Sequence, residues 1–246
     1  MKPTTKGQTA ILLVMALAFA LTLSLYVQGV PEGATVSSAS VDTGPSGNPE
    51  NRSDSGGTIT TMVLDNTQQN FGWKAYVGNV TGTLTLDDSA SQTIYQWPLS
   101  STITGEVYAS RDNNVDWTIG SISCAAQSTI STEQTFIGGA ASDTDSINNT
   151  YNKTLHATMQ VGVNTITNSS CRAVYTWQAD AAQVASEAAN FTGILLEDTD
   201  NDLVYASTLE QDGTGFDSNT YDFQLIVPDH DNQTVVNYYF YVEIGT

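Results

Sequence analysis

The feature that constrains this chain most is an uncharged, mostly apolar run from Gln8 to Gln28, preceded by Lys2 and Lys6 and followed by no charge until Glu32. As an α-helix rising 1.5 Å per residue it is about 30 Å long, the hydrocarbon thickness of a bilayer. A helix that is apolar all round has to be buried on every side, by lipid or by other helices. The lysines place its N-terminal end in the cytoplasm and the rest of the chain outside. A cleaved secretory signal fits less well, because Val30-Pro31-Glu32 stands where a small-x-small cut site is expected. An uncleaved anchor and a helix retained for assembly both remain.

The residues Lys6-Gly7-Gln8-Thr9-Ala10-Ile11-Leu12-Leu13 join a basic residue and a glycine to a polar residue that opens the apolar helix. This junction resembles the class III signal of archaeal type IV pilins. The resemblance implies a leader 1–7, cleavage by a prepilin peptidase between Gly7 and Gln8, and a retained helix over 8–30. That helix would sit in the membrane before assembly and then pack with its copies into a helical filament, a homo-oligomer. The assembly residues would be Ile11, Leu12, Leu13, Met15, Ala16, Leu17, Phe19, Ala20, Leu21, Leu23 and Leu25. Ala16 and Ala20 form a small-x-x-x-small pair at which helices can approach closely. Many pilins carry Glu at the fifth mature position, where this chain has Leu12.

Residues 31–57, rich in Ser, Gly, Asp and Asn, read as a flexible linker. From Thr58 to the end at 246, short β-runs alternate with Gly, Asn and Asp clusters. The fold expected is therefore an N-terminal hydrophobic α-helix plus an all-β head domain, a β-sandwich with an Ig-like arrangement as one form. Alternation predicts strands over Leu155 to Val161 and Tyr221 to Val227, and Tyr, Phe and Val enrichment predicts one over Val235 to Ile244. Further strands are expected at Thr58 to Leu64, Trp73 to Val77, Thr83 to Leu86, Thr93 to Trp97, Glu106 to Ala109, Trp117 to Ile122, Ala173 to Trp177, Ile194 to Glu197 and Leu203 to Ser207. The alanines of Asp180 to Ala189 suggest one short helix. Asn79-x-Thr81-Gly82-x-Leu84 is echoed by Asn190-x-Thr192-Gly193-x-Leu195, through duplication or through reuse of good turn chemistry.

Asp+Glu 26 against Lys+Arg 7 gives a net charge of -19, which repels phosphates and argues against nucleic acid as a partner. In an exported chain Cys124 and Cys171 read as one disulfide, with two buried thiols as the other option. N-glycan sequons begin at Asn51, Asn79, Asn148, Asn152, Asn168, Asn190 and Asn232.

The densest acidic cluster offers Asp198, Asp200 and Asp202 as candidate calcium ligands, or as a solvated hairpin turn. It is not an EF-hand, since Leu203 and Leu209 occupy the positions of the required Gly and Glu. No other cofactor is indicated. His156 is expected on the polar face of its strand and His230 in a turn, neither at metal-ligand spacing. Glu106 and Glu133 could each pair with an Asp for glycoside hydrolysis, but so acidic a domain offers many such pairs, no motif assigns roles, and no catalytic residues are expected. Trp73, Trp97, Trp117 and Trp177 fit core packing better than a sugar site. The function expected is that of a cell-surface filament subunit involved in attachment, with a membrane-anchored monomeric adhesin as the alternative.

Overall fold

The computed structural model describes residues 30–44, 51–64, 67–98, 103–229 and 235–245. The leader, the hydrophobic helix with its assembly residues from Ile11 to Leu25, His230 and the Asn232 sequon lie outside the described residues. Among those described, no helix is long and apolar enough to cross a membrane.

The chain runs β1 (Glu32–Gly33), β2 (Trp73–Gly78), β3 (Thr83–Asp87), β4 (Thr93–Pro98), β5 (Thr104–Ser110) and β6 (Ser123–Cys124), then α1 (Gln127–Phe136) and α2 (Ile147–Thr150). It continues as β7 (Met159–Val161), β8 (Asn164–Ile166), β9 (Ala173–Tyr175), β10 (Thr192–Glu197) and β11 (Leu203–Thr208). It closes with β12 (Gly213–Thr214), β13 (Thr220–Tyr221), β14 (Phe223–Pro228) and β15 (Tyr239–Gly245).

One antiparallel sheet organises the head, in the order β1-β15-β5-β11-β10, with β6 and β9 side by side on the outer edge of β10. It is buried on both faces. Tyr108, Ile194, Leu196, Val204 and Tyr241 point to one side, with Met159, Val161 and Ile166 of the β7–β8 hairpin over them. Ala109, Leu195 and Tyr205 point to the other, against Leu225 and Val227 of β14, Ile130 of α1 and Ile147 of α2. Double burial is why β10 and β11 read as near-continuous apolar runs rather than alternating ones. The β2–β14 ribbon laid on this sheet makes the molecule β-sandwich-like, and mostly β as expected.

The disulfide forms: Cys124 on β6 is bonded to Cys171, two residues before β9, and staples the two short strands that flank β10. For a sequence separation of 47 residues, closing the loop stabilises by about 4 kcal/mol through the unfolded chain.

Several elements differ from expectation for physical reasons. Thr58 to Leu64 is not in a ladder and its apolar side chains are exposed, because it pairs with no strand among the described residues. Trp117 to Ile122 is a turn, not a strand: Asp116 accepts from the Thr118 N–H at 3.0 Å, and Gly120 takes a φ of 79°. Asp180 to Ala189 is not helical, since Ala179 and Asp180 sit at φ 46° and 57° and break the start. The Gln183 amide instead bridges the loop to the Thr176 and Asn190 carbonyls.

Of the strand expected over Leu155 to Val161, only Met159–Val161 forms. His156, expected on a polar face, is fully buried: its Nε2 accepts from the Ser170 and Cys171 N–H groups at 3.1 and 3.0 Å. Buried backbone donors need partners, and the imidazole supplies them.

The expected linker 31–57 is tied to the head at its outset. Pro31 is buried, β1 pairs with Tyr241 and Val242 of β15, and the Ala34 N–H donates to the Phe240 carbonyl at 2.8 Å. Beyond Ala34 the described residues up to Leu64 are exposed and form no strand.

Candidate functional site

A polar recess of about 200 Å³ lies where β5 ends, β11 begins and α1 crosses them, lined by Ser110, Arg111, Asp112, Glu133, Asp202 and Leu203. Arg111 leaves the end of β5 and meets Glu133 of α1 in a forked contact at 2.6 to 3.0 Å. Its guanidinium lies 3.6 Å over the Phe136 ring. The hydrogen bonds to Glu133 raise the arginine's pKa further. Asp202 is pushed up to about 6 by burial first, then by a hydrogen bond to Asp112 and the charges of Asp112, Asp198 and Asp200. The arginine and Glu133 neutralise one another, so the corner serves as a clamp between helix and sheet.

Glu106 and Glu133 are kept apart by the central sheet. Glu133 lies on the α1 side, whereas Glu106 shares the other face with Tyr108 and is opposed directly across the ladder by Glu243 of β15. Burial, then the Glu243 charge, pushes the Glu106 carboxyl up to about 8. Burial also raises Glu243, which accepts from the Gly162 N–H at 2.8 Å and the Tyr108 hydroxyl at 3.1 Å. Glu106 therefore has Glu243, and Glu133 has Arg111, as its nearest charged partner.

Of the candidate calcium ligands Asp198, Asp200 and Asp202, Asp198 closes the β10–β11 turn. Its Oδ1 accepts from the N–H groups of Asp200 and Asp202, both at 3.0 Å, and Oδ2 from that of Asp116 at 3.1 Å. Among the described residues no group of three or more His, Cys, Asp or Glu is placed to hold a metal ion.

The sequons divide by exposure. Asn51, Asn79, Asn152 and Asn168 are exposed, while Asn148 and Asn190 are half-buried. Thr192, the acceptor threonine of the Asn190 sequon, is 3% exposed and donates to the Ala189 carbonyl.

The tryptophans also divide. Trp73 packs beside Tyr151 and donates to the Asp145 carbonyl at 2.7 Å, and Trp117 sits between Tyr108 and Tyr241. Core packing fails for the other two: Trp97 is 47% exposed and Trp177 53%.

Trp97 belongs to a surface the sequence reading did not single out. In the β3–β4 hairpin Leu84 faces Trp97 and Leu86 faces Tyr95, so paired residues put all four side chains on one side. Tyr95 and Trp97 stack edge to face at 4.9 Å. Neither strand of this hairpin pairs with anything else among the described residues, and its apolar side is open to solvent. Alternation in Leu84-Thr85-Leu86 and Tyr95-Gln96-Trp97 is the sequence signal for this apolar side. No family model, no curated protein and no solved structure matches this chain.

Proposed function

We propose that this chain is the structural subunit of a type IV pilus-like archaeal filament. It polymerises through its N-terminal hydrophobic helix and carries the β-rich head on the outer surface, where it serves attachment. The observation that carries the reading is the Lys6-Gly7-Gln8 junction opening an uncharged run that lasts to Gln28. A repeated rotation and rise of such helices gives a non-closing contact and hence a filament. Burial of each Leu or Ile between Ile11 and Leu25 stabilises it by roughly 1.5 to 3 kcal/mol.

The junction between helix and head supports the same reading. The apolar run is followed at once by buried Pro31 and by β1 on the edge of the main sheet, which leaves little slack between the two. A head fixed to its helix in this way can be repeated with one geometry along a polymer. Asn51, Asn79, Asn152 and Asn168 are then the candidate glycan acceptors on the filament surface.

The test is intact mass and N-terminal sequence of the native subunit, with electron microscopy of cell-surface filaments. The mature chain is expected to begin at Gln8 and to occur in filaments. Leu17→Lys should abolish both insertion and assembly. A native chain that begins at Met1 and stays dispersed as single molecules would favour the anchored adhesin, for which the exposed Tyr95–Trp97 pair is the supporting observation.

A further inference from the structure

Two parts of the head carry strand-forming residues whose apolar side chains are uncovered among the described residues. One is the β3–β4 hairpin, whose Leu86, Tyr95 and Trp97 are 54%, 58% and 47% exposed. Two strands with an uncovered apolar face are marginal alone, and a third strand is what such a ribbon lacks. The other is Thr58 to Leu64, seven residues of Thr, Ile, Met, Val and Leu without a charge. Ile59 is 101% exposed, Val63 88%, Leu64 82% and Met62 52%, so most of the segment's apolar surface is uncovered.

We infer that the 58–64 segment of one copy adds as a strand to the β3–β4 hairpin of a neighbouring copy, a contact between heads. Main-chain hydrogen bonds along an open strand edge supply the attraction and alternate side chains the fit. Ile59 and Val63 lie on one side of the added strand and continue the apolar row of Leu84, Leu86, Tyr95 and Trp97.

Exposure and charge both favour a second copy as the occupant. Within the chain, 58–64 pairs with no strand among the described residues and its apolar side chains are exposed, so both halves of the contact are free on every copy. Copies with a net charge of -19 repel, and contact is least opposed where carboxylates are absent. Thr58 to Leu64 has none, and the hairpin has only Asp87 and Asp88, at its tip. The contact is small beside the roughly 1,600 Å² of a self-sufficient interface, so it needs neighbours already held side by side. To that extent the inference rests on the filament reading.

Cross-linking of the full chain tests it. Cys124 and Cys171 are bonded to each other, so Thr60→Cys and Gln96→Cys supply the free thiols. The two single variants are co-expressed, cell-surface material is treated with a short bis-maleimide, and products are separated under denaturing conditions. A covalent dimer joining the two variants is expected, and a ladder from the double variant. Trp97→Asp, at an exposed position, should cut the dimer at least tenfold. A double variant that cross-links only within single chains, or filaments that yield no cross-link, overturn the inference, and in the second case the filament reading stands. Cross-linked dimers without filaments would overturn the filament reading and, with it, the dependence of the strand contact on neighbours held by their helices, leaving a contact that forms unaided.

Discussion

The molecule contains two hairpins built to one local plan and put to opposite uses. β3–β4 and β10–β11 each begin within an Asn-x-Thr-Gly-x-Leu stretch. In the first turn Asp88 Oδ1 accepts from the N–H groups of Ala90 and Gln92, and Ser91 takes a φ of 59°. In the second Asp198 Oδ1 accepts from Asp200 and Asp202, and Asn201 takes a φ of 66°. Main-chain bonds correspond as well, from Ser91 N–H to Asp88 and from Asn201 N–H to Asp198. Yet β10–β11 lies at the centre of the main sheet with both faces covered, and β3–β4 stands apart with its apolar face bare. Turn chemistry makes the hairpin, and the rows decide where it goes. β10 is apolar at Ile194, Leu195 and Leu196 alike, so both faces need cover. In β3, Leu84 and Leu86 alternate with threonines, and only one face does.

Truncating a leucine in each hairpin gives the largest expected contrast. Leu196 is 0% exposed inside the core, and Leu196→Ala should cost about 3 kcal/mol through lost burial and an unfilled cavity. Leu86→Ala, at 54% exposure, should change subunit stability by no more than about 0.5 kcal/mol. Urea unfolding of the mature chain in detergent measures both. Equal losses would mean that the outer hairpin is covered within its own subunit, against the contact inferred between copies.

The turns provide the next contrast. Asp198 is 4% exposed and also holds the Asp116 N–H, so Asp198→Ala strands three donors and should cost about 2 kcal/mol. Asp88 is exposed and its donors can turn to water, so Asp88→Ala should cost at most about 1 kcal/mol. The same denaturation series reads this pair, and a cost at Asp88 matching that at Asp198 would refute the difference in solvation.

Much of this was legible in the sequence because the relevant signals are local. Both hairpins, β14 and β15 follow from alternation or apolar runs, and with only two cysteines the pairing had one form. Whether the disulfide exists depended on their approach, 5.0 Å between Cα atoms, which no spacing encodes. Thr58 to Leu64 has strand propensity, but a strand also needs a neighbour, and that information lies elsewhere in the chain. α1 was invisible because its buried side includes Thr129, Glu133 and Gln134, whose polar groups gave no apolar period. Glu133 can be buried only because Arg111 of another element meets it. β1 was hidden in a stretch with the composition of a linker, and it is recognisable only beside β15. The hairpin turn at Asp198 to Asp202 was legible from its turn residues, whereas the bond from Asp198 to the distant Asp116 N–H was not.

The smallest expected effect is one of pH, and it separates the two turns by a single residue. Asp202 of the central hairpin corresponds to Gln92 of the outer one, which does not titrate. With Asp202 raised from 3.8 to about 6, the folded chain holds a proton that the unfolded chain has released. Its contribution is therefore complete below pH 3.8 and is lost as pH rises through about 6. Asp202→Asn retains a donor toward Asp112 at every pH and removes this titration. Since the site is partly open to solvent, the variant should gain about 1 kcal/mol or less over the parent at pH 7 and nothing at pH 3.5. Melting temperatures of parent and variant across that range isolate the effect from Glu106 and Glu243, which titrate in both. If the difference between them stayed constant with pH, Asp202 would not be held protonated by its neighbours, and the two turns would differ in burial alone.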